Sequence, residues 1–278
     1  MLQSDVPEGA GLSSSAALEI STGLALTALS GINIDRITLA LAGQKAEHDY
    51  VGTKSGIMDQ YTSALARKNH ALLIDCRTLE AAHIPLDNSE IVIAICNSNV
   101  RHALASSEYN TRRAECERGV ELLQQFLPNI KALRDVSVRE FEEYEENLPE
   151  PVRRRCCHVV TENDRTLEAV EALRRSDFQR MGRLMFESHE SLRADYEVSC
   201  AELDALVEIA GRIEGVFGAR MTGGGFGGCT VNLVRRENLA QFREIVSREY
   251  RKRINLKADI CVAEASDGAQ EIEIQDQA

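Results

Sequence analysis

Tryptophan is absent from the 278 residues, and all aromatic side chains together make up 5% of them. A surface that grips single-stranded nucleic acid by stacking bases needs such rings, so that class is disfavoured. Positive charge is also scarce: 32 Lys and Arg stand against 44 Asp and Glu, a net charge of −12. A protein that wraps duplex DNA or lies on an anionic membrane needs a cationic face, and both classes are set aside. A nucleotide substrate stays compatible, because a few backbone N–H groups and a metal ion can hold its phosphates. No run of eighteen apolar residues occurs, so no membrane span is expected. The opening Met-Leu-Gln-Ser-Asp-Val-Pro has neither the cationic start nor the apolar block of a secretory signal. None of the eight cysteines forms a C-x-x-C pair, and only Cys156 and Cys157 are adjacent. Disulfide frameworks belong to small secreted domains, so these are expected to be reduced thiols in a cytoplasmic protein.

Hydrophobic residues at 44% and charged residues at 27% are ordinary globular proportions, and the length suits one large domain or two smaller ones. Ser13–Ser15 lead into an apolar-periodic stretch in which Ala17, Ile20 and Leu24 share a face, stopped by Gly31. A second helix is expected from Asp35 to Tyr50, capped by Asp35, with Ile37 and Leu41 inward, and a third over Ile57–Ala66. Residues 71–76 and 91–96 are short apolar runs expected as buried strands. Helices are expected from Ser107 to Phe126 and across 137–213, broken at Pro149/Pro151 and at Asp195–Ser199. Strands Val216–Met221 and Cys229–Val234, a helix Asn238–Arg253 and a strand Ala258–Ala263 follow, with a polar tail from Gln270. This order is α+β, with antiparallel pairing favoured over a doubly wound sheet.

Four segments could carry chemistry. In Pro7-Glu8-Gly9-Ala10-Gly11-Leu12-Ser13-Ser14-Ser15-Ala16 the glycines allow close backbone approach, and the helix that follows offers unpaired N–H groups to an anion. A plain glycine turn with serine caps is the bland alternative, although three serines exceed a cap. The lysine of a Walker A loop is missing. Gly223-Gly224-Gly225-Phe226-Gly227-Gly228 matches G-x-G-x-x-G, but a strand-like run follows it instead of a helix, so a dinucleotide fingerprint is rejected. A hairpin is the bland reading; five glycines in six positions favour close approach to a ligand or another loop. Glu47, late in its helix, opposes the dipole unless a metal or other partner offsets it, and Asp59 follows the glycine of Gly56-Ile57-Met58-Asp59-Gln60. Asp59 could equally be an ordinary helix-start residue. The fourth segment, Cys96–His102 followed by Ser106–Arg113, closes a strand with polar residues, and its Tyr109 could pack on a ligand or be an ordinary helix-face aromatic.

Taken together, these segments resemble the GHMP family of small-molecule kinases, across roughly residues 4 to 268. The first glycine–serine stretch resembles the family's second motif, its ATP-phosphate loop, and Met221–Cys229 its third. Gly56–Gln60, Leu72–Arg77, Asn97–His102, Glu187–His189 and Asp195–Cys200 place it in the branch that phosphorylates galactose. The resemblance implies a two-lobed α+β fold. Residues 1–88 would be an incomplete N-terminal lobe like domain 2 of ribosomal protein S5, and 89–278 a ferredoxin-like C-terminal lobe. It implies ATP-dependent phosphorylation of galactose at the C1 hydroxyl, with Mg²⁺, by a monomer that binds neither nucleic acid nor membrane. It assigns Gly9, Ala10, Gly11, Leu12, Ser13, Ser14 and Ser15 to the ATP phosphates, and Ser15 and Glu47 to Mg²⁺, with Ser14 as the substitute. Asp59 becomes the acceptor of the C1 hydroxyl proton; Gly56, Asp59 and Tyr109 become sugar contacts; Gly223, Gly224, Gly225, Gly227 and Gly228 pack near phosphate and sugar. The family's first motif, Gly-Arg-Val-Asn-Leu-Ile-Gly-Glu-His-Thr-Asp-Tyr, does not occur in the sequence. The expectation is therefore an N-terminal lobe with an open sheet edge and little turnover by this chain. The rival readings are an inactive sugar- or nucleotide-binding relative and a kinase for N-acetylgalactosamine.

Overall fold

The first helix, α1 (Ser14–Leu29), starts where the apolar periodicity does and ends before Gly31, whose φ of +64° is the left-handed turn a glycine supplies without strain. The structure is a computed structural model that describes residues 2–6, 11–52, 55–86, 89–101 and 105–272. In α2 (Arg36–Ala46) the Asp35 carboxylate accepts the Thr38 N–H at 2.8 Å, the expected cap. This helix does not run on to Tyr50. At Glu47–Val51 the backbone widens into a π turn, closed by Gly52 N–H donating to Glu47 O at 3.1 Å. Its inner face also differs from expectation. Leu39, Ala40 and Gly43 are buried, while Ile37 and Leu41 are exposed: apolar residues lie on more than one side of the helix, and the side that meets Ile20 of α1 and Tyr61 of α3 is the one that buries. Helix α3 (Met58–Leu65) completes a three-helix core of Ile20, Leu39, Ala40, Ile57, Tyr61 and Ala64.

Strand β1 (His70–Ile74) pairs antiparallel with β2 (Ala81–Pro85), and no third strand joins them among the described residues. β2 was not visible in the sequence, since only Ile84 of its five residues is a large apolar group that buries. Residues 264–272, which the sequence boundary groups with the second lobe, return to these elements. Asn69 N–H donates to Ala265 O at 3.0 Å and Ala269 N–H to Ser63 O at 2.7 Å. The chain thus divides into a unit of residues 1–88 with 264–278 and a unit of Ser89–Ala263. The tail beyond residue 272 lies outside the described residues.

The second unit is built on an antiparallel sheet in the order β4 (Val216–Met221), β5 (Gly227–Arg235), β3 (Ile91–Arg101), β6 (Asp259–Ala263). Val92, Ala94 and Cys96 alternate inward on β3 and meet α8 (Ala201–Ala210) and α9 (Leu239–Ile254) through Leu206, Ala210, Phe242, Val246 and Tyr250. The fully buried Tyr250 donates its hydroxyl to Ser98 O at 2.9 Å, so the ring can be buried without an unmet donor. A second cluster lies among α4 (Ala105–Leu123), α5 (Val138–Tyr144) and α6 (Val152–Arg174), centred on Leu123, Phe141, Cys156 and Val160. α7 (Phe178–Ala194) crosses β4 so closely that a Cβ on Gly182 would stand 1.9 Å from Phe217 O. Among the described residues no helix is long and apolar enough to cross a membrane.

Candidate active site

In the first unit, Gly9 and Ala10 of the expected phosphate loop lie outside the described residues. Gly11 has φ +73° and Ser13, at the cap position of α1, φ +56°. The Ser13 hydroxyl makes no capping bond, so the bland reading of these serines as a helix cap does not hold for it. Ser14 and Ser15 form the first helical turn, with Ser15 exposed. Glu47 opens the π turn, and its Oε2 is buried with no hydrogen-bond partner among the described residues. Glu19, one turn beyond Ser15 on α1, lies beside Glu47, and burial together with that neighbouring carboxylate raises its pKa above the ordinary range, against the lowering effect of the Gln60 amide. An orphaned carboxylate oxygen beside a second carboxyl is a hard-oxygen donor set, which suits Mg²⁺. No group of three or more His, Cys, Asp or Glu side chains with metal-ligand spacing occurs among the described residues, so protein alone would not complete such a shell.

Asp59 is exposed in the first turn of α3, where its charge also suits the helix dipole. The turn before it is held from α2: Gln44 Nε2 donates to Ser55 O at 3.2 Å and His48 Nε2 reaches the same oxygen at 2.8 Å. A carbonyl cannot donate, so His48 carries its proton on Nε2. His48 is therefore a hydrogen-bonded side chain that holds the turn before α3. Gly56 is exposed, and a Cβ there would meet nothing within 4 Å, so packing does not demand a glycine.

In the second unit, Gly223–Gly228 joins β4 to β5 as an antiparallel hairpin, not the opening of a helix. Gly223, Gly225, Gly227 and Gly228 all have positive φ. Gly225 has no room for a side chain: a Cβ would lie 2.2 Å from Val198 O. Phe226 N–H donates to that same oxygen at 2.7 Å, locking the loop to residues 195–199. Those residues are gripped by two buried arginines. Arg112 donates from Nε to Tyr196 O at 2.7 Å and from Nη2 to Glu197 O at 3.0 Å. Arg155 donates to Asp195 O at 2.6 Å and pairs with Glu115 and Glu197. Tyr109, half-buried on α4 one turn before Arg112, has its ring 3.9 Å from where a Gly224 Cβ would stand. The structure therefore brings Tyr109 and the third-motif glycines together within one unit, and Ser15, Glu47 and Asp59 onto the packed helices of the other.

Sequence reasoning did not find Gln60, Glu19 or the two arginine clamps. Gln60 had a signal, an amide among the apolar positions Ile57, Tyr61 and Ala64; the arginines had none that separates a clamp from a solvated helix face.

Residues 1–67 match the GHMP kinases N terminal domain and residues 169–252 the GHMP kinases C terminal domain. The chain is thus a GHMP kinase in both halves. A galactokinase of Roseiflexus sp. (strain RS-1) is 47% identical over 268 residues, covering 96% of this chain and 68% of that protein. One from Exiguobacterium sibiricum is 44% identical, covering 98% of this chain and 70% of its own length. The crystal structure of Lactococcus lactis galactokinase complexed with galactose superposes with a TM-score of 0.93 at 38% identity, over 96% of this chain and 69% of that one. Within the GHMP kinases, the chain belongs to the galactokinase family.

Proposed function

We propose that the chain transfers the γ-phosphoryl group of ATP to the C1 hydroxyl of galactose, releasing ADP and galactose 1-phosphate. The observation that supports this most is Asp59, exposed at the start of α3 with the turn before it held by bonds from α2 and the π turn, in the unit that also carries Ser15 and Glu47. The Lactococcus relative was crystallised with galactose, which supports the choice of sugar. The C1 oxygen bonds to the γ-phosphorus, the bond from that phosphorus to the β,γ-bridging oxygen breaks so that ADP leaves, and the proton of the C1 hydroxyl passes to the Asp59 carboxylate. Gly9–Ser15 hold the phosphates through backbone N–H groups and the α1 dipole. Ser15 and Glu47 would hold Mg²⁺, which when bound neutralises phosphate charge. The likeness to galactokinases supports assigning Gly56 and Tyr109 to the sugar and the glycines of 223–228 to the substrates' surroundings. None of the eight cysteines is in a disulfide, which fits a reducing cytoplasm.

The test is ADP release with galactose and Mg-ATP, comparing the protein with its Asp59→Asn variant. The amide keeps the shape and cannot accept the proton. Turnover is expected to fall by about 10²–10⁴-fold, with galactose binding retained in calorimetry. Near-normal turnover by the variant would remove Asp59 from the base role. Turnover with N-acetylgalactosamine and none with galactose would reassign the sugar, and sugar binding with no turnover would make the chain a binding relative.

A further inference from the structure

We propose that Gln60 is a positioning residue for the Asp59 carboxylate, acting through its hydrogen bond to Glu19. This rests on the reading of Asp59 as the proton acceptor. α3 is eight residues long, and its cap position, Ile57, offers no side-chain bond. So short a helix has little stability of its own, and its rotation about its axis must be set from outside.

Gln60 supplies that setting from the buried side. It is 2% exposed and sits between Ile57, Tyr61 and Ala64 in the helical core. Burying an amide there is unfavourable unless hydrogen bonds offset the lost water. Its Nε2 donates to Glu19 Oε2 at 3.0 Å, while Oε1 is buried without a partner among the described residues. The group is thus half satisfied, and the one bond it makes crosses from α3 to α1. A passage for that bond exists because of Gly43 on α2. A Cβ at Gly43 would stand 3.2 Å from Gln60 Cγ and 3.4 Å from Glu19 Oε2, tighter than ordinary contact.

The bond joins the elements that bear the proposed chemistry. Glu19 is four residues beyond Ser15, on the same face of α1, and its carboxyl lies beside that of Glu47. Asp59 directly precedes Gln60, about 100° round the helix. Any rotation of α3 that the Gln60–Glu19 bond prevents would swing the Asp59 carboxylate by a comparable angle. Gln44 and His48 hold Ser55 O in the turn that leads into α3, so the entry to the helix is fixed while the Gln60–Glu19 bond sets its rotation.

Three variants separate positioning from core filling. Gln60→Met keeps the volume and removes the bond. Gln60→Glu sets a second carboxylate against Glu19. Glu19→Gln with Gln60→Glu restores donor and acceptor in swapped order. Misplacement of a reacting group by about 1 Å costs on the order of 10²-fold in rate. Gln60→Met is therefore expected to lower kcat about 30–100-fold with the KM for ATP within about twofold. The swap is expected to return the amide exchange of α3 from its Gln60→Glu rate toward that of the parent, as coupled neighbours do, a readout that does not depend on the Glu19 carboxyl beside Glu47. Amide hydrogen exchange across residues 58–65 should accelerate in Gln60→Met, with β3 and β5 unchanged. A Gln60→Met protein with kcat and α3 exchange like the parent, or a swap that recovers nothing, would overturn the proposal. Should Asp59→Asn keep its turnover in the same assay, the assignment of the base falls instead. Were the parent itself without turnover, the exchange measurement alone would still decide whether Gln60 holds α3.

Discussion

His158 shows how one side chain can set the acid limit of a fold. It lies on α6 with 6% exposure, its ring 4.5 Å from that of Tyr196. The Ser191 hydroxyl donates to Asp195 Oδ2 at 2.7 Å, so its oxygen is left to accept from His158 Nδ1 at 3.0 Å. That bond places a proton on Nδ1, and burial, which disfavours the cation, depresses the pKa to about 4 against the opposing pull of Glu162, so the imidazole is neutral at pH 7. The unfolded chain binds this proton near pH 6.5 while the native one does not, so stability falls as pH drops from about 6.5 to 4 and this loss then levels off. Integrated over that window, the loss amounts to about 3 kcal/mol. The carboxylates of Glu162 and Asp204, lowered in the fold, add their own acid losses only below their unfolded pKa values. Urea unfolding at pH 7.5, 6 and 5 should therefore show His158→Gln losing less stability with acid than the parent. Equal pH slopes for the two proteins would mean that His158 is not the buried neutral group described.

At the scale of elements, close contact between α7 and β4 depends on two facing glycines. A Cβ on Gly182 would lie 1.9 Å from Phe217 O, and one on Gly218 would lie 2.4 Å from Gly182 Cα. Both obstacles are backbone, so neither can swing aside. Gly182→Ala should raise helix propensity by about 1 kcal/mol and still destabilise the protein by roughly 1–3 kcal/mol net, because helix and strand must separate. A lowered urea midpoint with an unchanged slope is the expected result; a midpoint equal to or above that of the parent would show that the elements can part freely. Much of this element pattern was legible in the sequence. The Pro149/Pro151 and Asp195–Ser199 breaks, the Asp35 cap and the strand after the glycine cluster each have a local chemical cause. What was illegible has no local cause. β2 forms because β1 is beside it, the π turn at Glu47–Val51 is a tertiary adjustment, and the inward face of α2 was decided by α1 and α3. The site divides the same way. Glycine–serine loop, Glu47 and Asp59 stood out as motifs, whereas Gln60, Arg112 and Arg155 gain meaning only from partners distant in sequence.

For the whole molecule, the two units differ in how much apolar surface they bury. The second unit holds the large cluster around Leu206, Val234, Phe242, Val246 and Tyr250 and a further one around Leu123, Phe141 and Val160. The first has a single small cluster, and Leu18, Leu26, Leu29, Ile32, Ile37, Leu41 and Tyr50 are exposed within it. A fully buried Leu, Ile or Phe contributes about 1.5–3 kcal/mol that an exposed one does not, so the units should differ in stability by more than any single mutation shifts. Scanning calorimetry of the protein without ligand is expected to resolve two transitions. Between them, a brief chymotrypsin pulse should cut the first unit first, at Tyr50 and the otherwise buried Tyr61 and also at Leu18, Leu26, Leu29 and Leu41, because local opening follows burial and not exposure of a site alone. Those α1 and α2 cuts should be absent below the first transition. A single transition whose calorimetric and van't Hoff enthalpies agree would show that the two units unfold as one cooperative body, and that the uneven burial does not separate them.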